Sequence, residues 1–153
     1  MAGTTIKEFQ GDFRFLSNFE GPPVKLDGIT YPRVENAYQA AKTLDLEQRG
    51  QFVSVTAAKA KQLGKQYITL RSDWNTIRLE IMNKLVRQKF LNLQYMQLLL
   101  ATNEADLIEG NYWHDNFWGD CYCKKCINIK GQNELGRLIK SIRDELWGFR
   151  NIF

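Results

Sequence analysis

The chain has 153 residues, of which 44% are apolar and 25% charged. That is the composition of an ordinary folded domain with enough chain to bury a core. Its apolar runs, such as 96–101 with Gln97 inside, fall far short of the roughly 20 residues that cross a bilayer, and residues 1–10 lack the basic start and apolar centre of a signal peptide, so a cytoplasmic protein without a membrane partner is expected. The net charge of +4 comes from scattered lysines and arginines interleaved with acids, which suits a phosphorylated partner without the long basic run of a nucleic-acid tail.

The first third reads as β-rich. Ile6 to Phe9 and Phe13 to Phe15 are short apolar strand candidates. Residues 24–31 alternate around Asp27-Gly28, a hairpin signal, and Pro22 and Pro23 end the loop before it. Helices follow. Pro32 is suited to the first turn of one, with Glu35 near its positive end. Thr56 caps a second that Gly64 stops. Ser72 or Asp73 starts a longer one, in which Trp74, Ile77, Ile81, Met82 and Leu85 share a face. Asn92 caps a short helix through Leu100. Gln132 or Asn133 precedes the last, with Leu135, Leu138, Ile139, Ile142 and Leu146 as its core stripe. No internal repeat, low-complexity tract or linker interrupts residues 1–153. The expected fold is α+β: one mainly helical domain with a small N-terminal β-sheet.

Four segments carry groups a core does not need. Glu35, Tyr38, Gln39 and Lys42 recur at i, i+3, i+4 and i+7 and share one helical face, while Ala37, Ala40 and Ala41 permit close packing behind them. A solvated face with an incidental ion pair is the ordinary alternative. In 14–19, Phe15, Leu16 and Phe19 anchor the backbone and leave Arg14, Ser17 and Asn18 to face a ligand; the planar arginine fork suits phosphate or carboxylate. Residues 111–120 hold two acids, two tryptophans and the chain's one histidine around Gly119, a mixture suited to a loop that binds a ring beside developing positive charge. Residues 131–137 lead into the last helix and make either an anion seat or a routine cap.

Cys121, Cys123 and Cys126 are an odd number of thiols in a chain with no secretion signal, which argues against a disulfide framework. With His114 they could form a Cys₃His zinc site. The tight Cys121–Cys123 spacing and the lack of a second CxxC favour three reduced thiols instead, and no metal or other cofactor is assigned.

Taken in order, 11–19, 31–42, 60–64, Trp74, Met82, Lys89-Phe90, 109–120 and 131–137 resemble the YbiA-like, or NADAR, family of N-glycosidases over nearly the full chain. Asn36 departs from a pattern that often has histidine after the helix glutamate. The resemblance implies a YbiA-like fold and hydrolysis of the C1–N bond of a phosphorylated ribosyl substrate. That substrate is either ADP-ribose on guanine, possibly within nucleic acid, or a phosphoribosylamino-pyrimidine intermediate of riboflavin synthesis. Such chemistry needs a carboxylate near C1 and an acid for the departing nitrogen. Glu35 and Asp115 match the family's helix glutamate and Asp-x-x-Trp-Gly aspartate, and Lys42 is the candidate for a Schiff base with the opened sugar. Trp118 is assigned stacking, with Trp113 a weaker second stacker. Arg14, Ser17, Asn18, Tyr38, Gln39, Gly119 and Asn133 complete the expected binding set, and residues 111–120 are expected to face the Glu35–Lys42 helix as its aromatic and acidic wall. His114 and Asp120 fall back toward structural support. The competing readings are an inactive ADP-ribose- or nucleotide-binding module and a small zinc-supported nucleic-acid binder built on His114 and the cysteines.

Overall fold

A computed structural model describes residues 3–152 and shows an α+β architecture dominated by helix. Residues 18–95 form one compact unit, and the rest of the described chain forms another.

Within 18–95, strands β1 (Val24–Leu26) and β2 (Ile29–Tyr31) pair antiparallel, with Val24 opposite Tyr31 and Leu26 opposite Ile29. Asp27 and Gly28 both take positive φ, 50° and 83°, as a two-residue hairpin turn requires. The period of two sends Val24, Leu26 and Tyr31 into the core and leaves Lys25 and Thr30 exposed. Helix α1 (Val34–Ala40) starts two residues after Pro32, and all seven of its residues are buried. Buried on every side, it is a core helix rather than the amphipathic surface helix that its polar residues suggest. It packs against α3 (Ala57–Gln66) and α4 (Trp74–Leu91) and, more lightly, α2 (Leu46–Gly50). Asp45 Oδ1 caps α2 by accepting from the Gln48 amide at 3.0 Å, and Thr56 Oγ1 caps α3 by accepting from Lys59 at 3.1 Å. The stripe foreseen for α4 is the observed one: Trp74, Ile81, Met82 and Leu85 are buried and Ile77 is half-buried. Asn92 Oδ1 accepts from the Gln94 amide at 3.1 Å and caps α5 (Leu93–Leu100) as expected.

In the other unit, β3 (Thr5–Ile6) pairs parallel with β4 (Asp106–Leu107), and β5 (Gly110–Asn111) pairs parallel with β6 (Asp120–Cys121). Helix α6 (Glu134–Ile152) buries Leu135, Ile139 and Ile142. Strands are therefore not confined to the N-terminal part: two of the three pairs draw on residues beyond 105. The strand expected over Phe13 to Phe15 is instead a 3₁₀ turn, Gly11–Leu16, entered through Gly11 at φ 59°. Only Leu16 of it is buried and Phe13 is exposed, so apolar content there reflects a one-sided turn, not a sheet. The strand expected over Ile6 to Phe9 shrinks to Thr5–Ile6. Among the described residues no helix is long and apolar enough to cross a membrane.

Candidate functional site

Burial turns α1 from an ordinary helix into a scaffold for polar groups. Glu35 is 7% exposed and its Oε1 accepts from Gln39 Nε2 at 2.8 Å. A carboxylate withdrawn from water needs such a donor, because an unpaired buried charge is costly. The amide of Glu35 in turn donates to the Asn18 carbonyl at 3.1 Å, and Asn18, itself buried, points Nδ2 at Met82 Sδ at 3.4 Å. Gly64 explains how α3 comes so close. A Cβ at that position would overlap the Gln39 side chain, so glycine permits the approach that holds Gln39 on Glu35. The expected helix stop at Gly64 gives way to this role, and α3 continues to Gln66.

Lys42 lies two residues beyond the end of α1. The chain tightens there: the amides of Lys42 and Thr43 donate to Gln39 and Ala40 carbonyls, both at 3.2 Å. Two further bonds lock the segment, from the Arg71 amide to the Lys42 carbonyl and from Arg49 Nε to the Thr43 carbonyl, both at 2.7 Å. The half-buried amine of Lys42 lies 5.8 Å from the centre of the Tyr38 ring, and Tyr38 leans on Trp74 at 5.1 Å between ring centres. Burial lowers the Lys42 pKa; Glu35 partly opposes this, and Lys65 and Lys61 of α3 push it further down. The result is an amine held closer to its neutral, nucleophilic form than a surface lysine. Lys61 and Lys65 are not among the site residues expected from sequence. Their spacing of four on one helix marks a shared face, but only the packing of α3 on α1 turns it toward Lys42.

Asn36 turns away from this cluster. It is fully buried, and Nδ2 donates to the carbonyls of Phe52 at 3.0 Å and Val55 at 2.8 Å. The residue that departs from the family pattern is thus a brace for the loop before α3.

In the other unit, the loop from β5 to β6 is organised by asparagine and aspartate. Asn111 Oδ1 accepts from the Trp113 and Asp115 amides at 3.2 and 3.1 Å, while its Nδ2 donates to the Asp115 carbonyl at 2.7 Å. Asp115 Oδ1 accepts from the amides of Phe117 at 3.1 Å and Trp118 at 2.9 Å. One carboxylate oxygen of the candidate acid therefore shapes the loop. Trp118 is half-buried, set edge-on to Phe117 with ring centres 4.8 Å apart, whereas Trp113 is 52% exposed. Arg14 is exposed at the end of its 3₁₀ turn and its carbonyl accepts from the Ser17 amide at 2.9 Å.

Two expected binding positions have structural occupations. Gly119 is buried with its Cα against the Glu109 carbonyl, where a side chain has no room. Asn133, at φ 52°, spends Oδ1 on the Glu109 amide at 3.0 Å and Nδ2 on the Leu107 carbonyl at 2.8 Å. Nor is the start of α6 an open anion seat. The amides of residues 132–135 donate to the carbonyls of Asn116, Gly119, Phe117 and Trp118 in turn. The joint holds the 111–120 loop rather than a phosphate.

Beyond that joint, His114, Cys121, Cys123 and Cys126 converge, with their donor atoms all within 4.8 Å of one another. The two-residue step from Cys121 to Cys123 does not prevent this. Cys121 ends β6, and the 3₁₀ turn Lys124–Cys126 folds Cys126 back. Burial, reinforced by the neighbouring thiols Cys121 and Cys123, pushes the Cys126 thiol up to about 11.

Residues 6–147 match the NADAR domain family. An N-glycosidase YbiA of Shigella flexneri serotype 5b (strain 8401) is 37% identical over 138 residues, covering 88% of this chain and 82% of that protein. A riboflavin biosynthesis protein of Vibrio vulnificus (strain YJ016) is 37% identical over 135 residues, which are 86% of this chain but 35% of that longer protein. The NMR structure of the Escherichia coli protein YbiA superposes with a TM-score of 0.82 at 33% identity, covering 99% of this chain and 89% of that one.

Proposed function

The chain belongs to the NADAR domain family, and from that membership we propose that it is an N-glycosidase acting on a phosphorylated ribosyl substrate, with Glu35 and Lys42 carrying the chemistry. The observation that carries this is the half-buried Lys42 amine, lowered in pKa by burial and locked by backbone bonds beside a buried carboxylate that Gln39 orients. In the proposed step the neutral amine attacks C1 and the C1–N bond breaks. One amine proton reaches the departing nitrogen and the other the ring oxygen, leaving an imine between Lys42 and the opened sugar. Water then hydrolyses the imine, freeing the sugar and regenerating the amine. Glu35 is suited to carry the proton to the leaving nitrogen and to oppose positive charge at C1. Lys61 and Lys65 offer positive charge for a phosphate.

The riboflavin biosynthesis name of the Vibrio relative supports a phosphoribosylamino-pyrimidine as substrate. ADP-ribosylated guanine offers the same ribose, nitrogen leaving group and phosphate and is the second candidate. Asp115 and Trp118 are proposed to serve catalysis and stacking respectively, and are tested independently of the Glu35 group. The experiment incubates the protein with each compound and follows base release by mass. Release that fails in Glu35→Gln and Lys42→Met is the expected result, with borohydride trapping the sugar on Lys42. Cleavage of neither compound, or full activity in both variants, overturns the assignment. Full activity in Asp115→Asn removes Asp115 from it.

A further inference from the structure

We propose that His114, Cys121, Cys123 and Cys126 form a closed tetrahedral zinc site that holds the 111–126 loop in shape. The geometry is already close to that of a filled site. Zn–S bonds of about 2.3 Å and Zn–N bonds of about 2.0–2.1 Å set tetrahedral donors about 3.5–3.8 Å apart. His114 Nδ1 lies 3.4 Å from Cys126 Sγ and 3.3 Å from Cys123 Sγ, and no pair in the set exceeds 4.8 Å.

The backbone is bent to achieve this. His114 has φ 69°, a left-handed conformation that a side chain with a Cβ adopts at a cost. The surrounding turn imposes it, because Asn111 Oδ1 clamps the amides of Trp113 and Asp115 on either side. Asn116 Oδ1 accepts from the Cys121 amide at 2.9 Å, and the Cys126 amide donates to the Cys123 carbonyl at 3.0 Å, so the backbone that carries the three cysteines is held by bonds independent of any metal.

The donor set also selects the ion. Three sulfurs and an imidazole suit zinc and disfavour magnesium, calcium or manganese, which take oxygen ligands. A disulfide is a poorer use of the group, since it consumes two of three adjacent thiols, and all three cysteines are free. Zinc bound by three thiolates and a neutral imidazole leaves the site one unit negative, and Lys124 and Lys125 stand within the ligand run to offset it. Four protein donors fill a tetrahedral shell and leave no position for water, so the role is structural rather than catalytic. His114 precedes Asp115 directly and Cys121 follows Asp120, so the metal would cross-link the two ends of the segment that carries Asp115 and Trp118. Binding energy released there is folding energy for that loop.

The test is metal analysis of full-length protein purified under reducing conditions without chelator. About one zinc per chain is expected; less than about 0.1, even after incubation with zinc sulfate and desalting, overturns the site. Cobalt(II) exchanged into the wild-type protein should give a thiolate-to-cobalt charge-transfer band and strong tetrahedral visible bands, whereas the weak spectrum of octahedral cobalt refutes it. Cys123→Ser and His114→Ala should each weaken zinc retention against a competing chelator at least tenfold; retention at wild-type strength in both overturns the ligand assignment. Should either variant fail to fold, the wild-type stoichiometry and cobalt spectrum still decide. Stripping zinc should lower the melting temperature, and an unchanged value removes the structural role.

Discussion

Gly64→Ala tests whether the Glu35 arrangement depends on helix contact rather than on helix propensity. In an exposed helix the change from glycine to alanine stabilises by about 0.5–1 kcal/mol. At position 64 the new Cβ would overlap the end of the Gln39 side chain and lie 3.2 Å from Gln39 Cβ. The end of Gln39 can swing away, but its Cβ is fixed to α1, so α3 must also shift. Overpacking of this kind costs about 1–3 kcal/mol, and a hydrogen bond from Gln39 to a carboxylate is worth about 1.5–3 kcal/mol. Subtracting the propensity gain from the sum of the two losses leaves a net loss of about 1.5–5.5 kcal/mol, equivalent to a fall in melting temperature of roughly 3–22 °C for a chain of this size. Gly148 on α6 has nothing within 4 Å of a built Cβ, so Gly148→Ala provides the matched control and should gain about 0.5–1 kcal/mol. Thermal unfolding by circular dichroism measures both, and base release measures the catalytic cost of displacing Gln39. Equal stabilisation by the two substitutions would refute the claim that Gly64 is there for Gln39.

Lys42→Met should abolish base release while leaving the melting temperature at pH 7 unchanged or raised, as read by paired activity and unfolding measurements; the folded state disfavours the charged amine, so removing it lifts a cost present at all pH below its lowered pKa and lost only as pH rises toward 10.5. A large loss of stability would show that the lysine is structural. The turnover rate should rise with pH to a plateau with a midpoint below 10.5, because the nucleophile is the neutral amine, and Lys61→Gln with Lys65→Gln should move that midpoint upward by removing two like charges; a pH–rate profile of kcat reads both. Arg49→Lys should lower stability by about 1–3 kcal/mol in denaturant titration, since a lysine cannot reproduce the guanidinium bonds to the Thr43 carbonyl and to Asp27 Oδ2, both at 2.7 Å.

Much of the local chemistry was legible where a feature acts within a few residues, although the strand expected over Phe13 to Phe15 and the helix stop at Gly64 were not borne out. The Asp27-Gly28 turn, the Thr56 and Asn92 caps and the apolar stripes of α4 and α6 are short-range devices, and each stands where its residues indicated. The family resemblance was likewise carried by local strings of residues in order. The order of residues could not reveal which polar groups are withdrawn from water. Spacing put Glu35, Gln39 and Lys42 on one face, yet only packing of α1 by α3 and α4 buries Glu35, perturbs Lys42 and brings Lys61 and Lys65 to bear on it. Pairing between distant strands was equally hidden: Thr5–Ile6 finds Asp106–Leu107 about a hundred residues away, and no local pattern encodes that register. The same long-range closure spends the amides of residues 132–135 on carbonyls of the 111–120 region and the Asn133 side chain on the Glu109 amide and Leu107 carbonyl, where the sequence left open an anion seat or a routine cap. Likewise the tight Cys121–Cys123 spacing and the lack of a second CxxC weighed against a shared centre, while the turns after β5 and β6 bring three sulfurs and one imidazole together. Sequence alone determined which chemical groups the protein owns and where most of its helices begin, though not the short α2 (Leu46–Gly50). Tertiary structure decided which of those groups lose water and which meet, because burial and proximity arise from contacts between segments far apart in the chain.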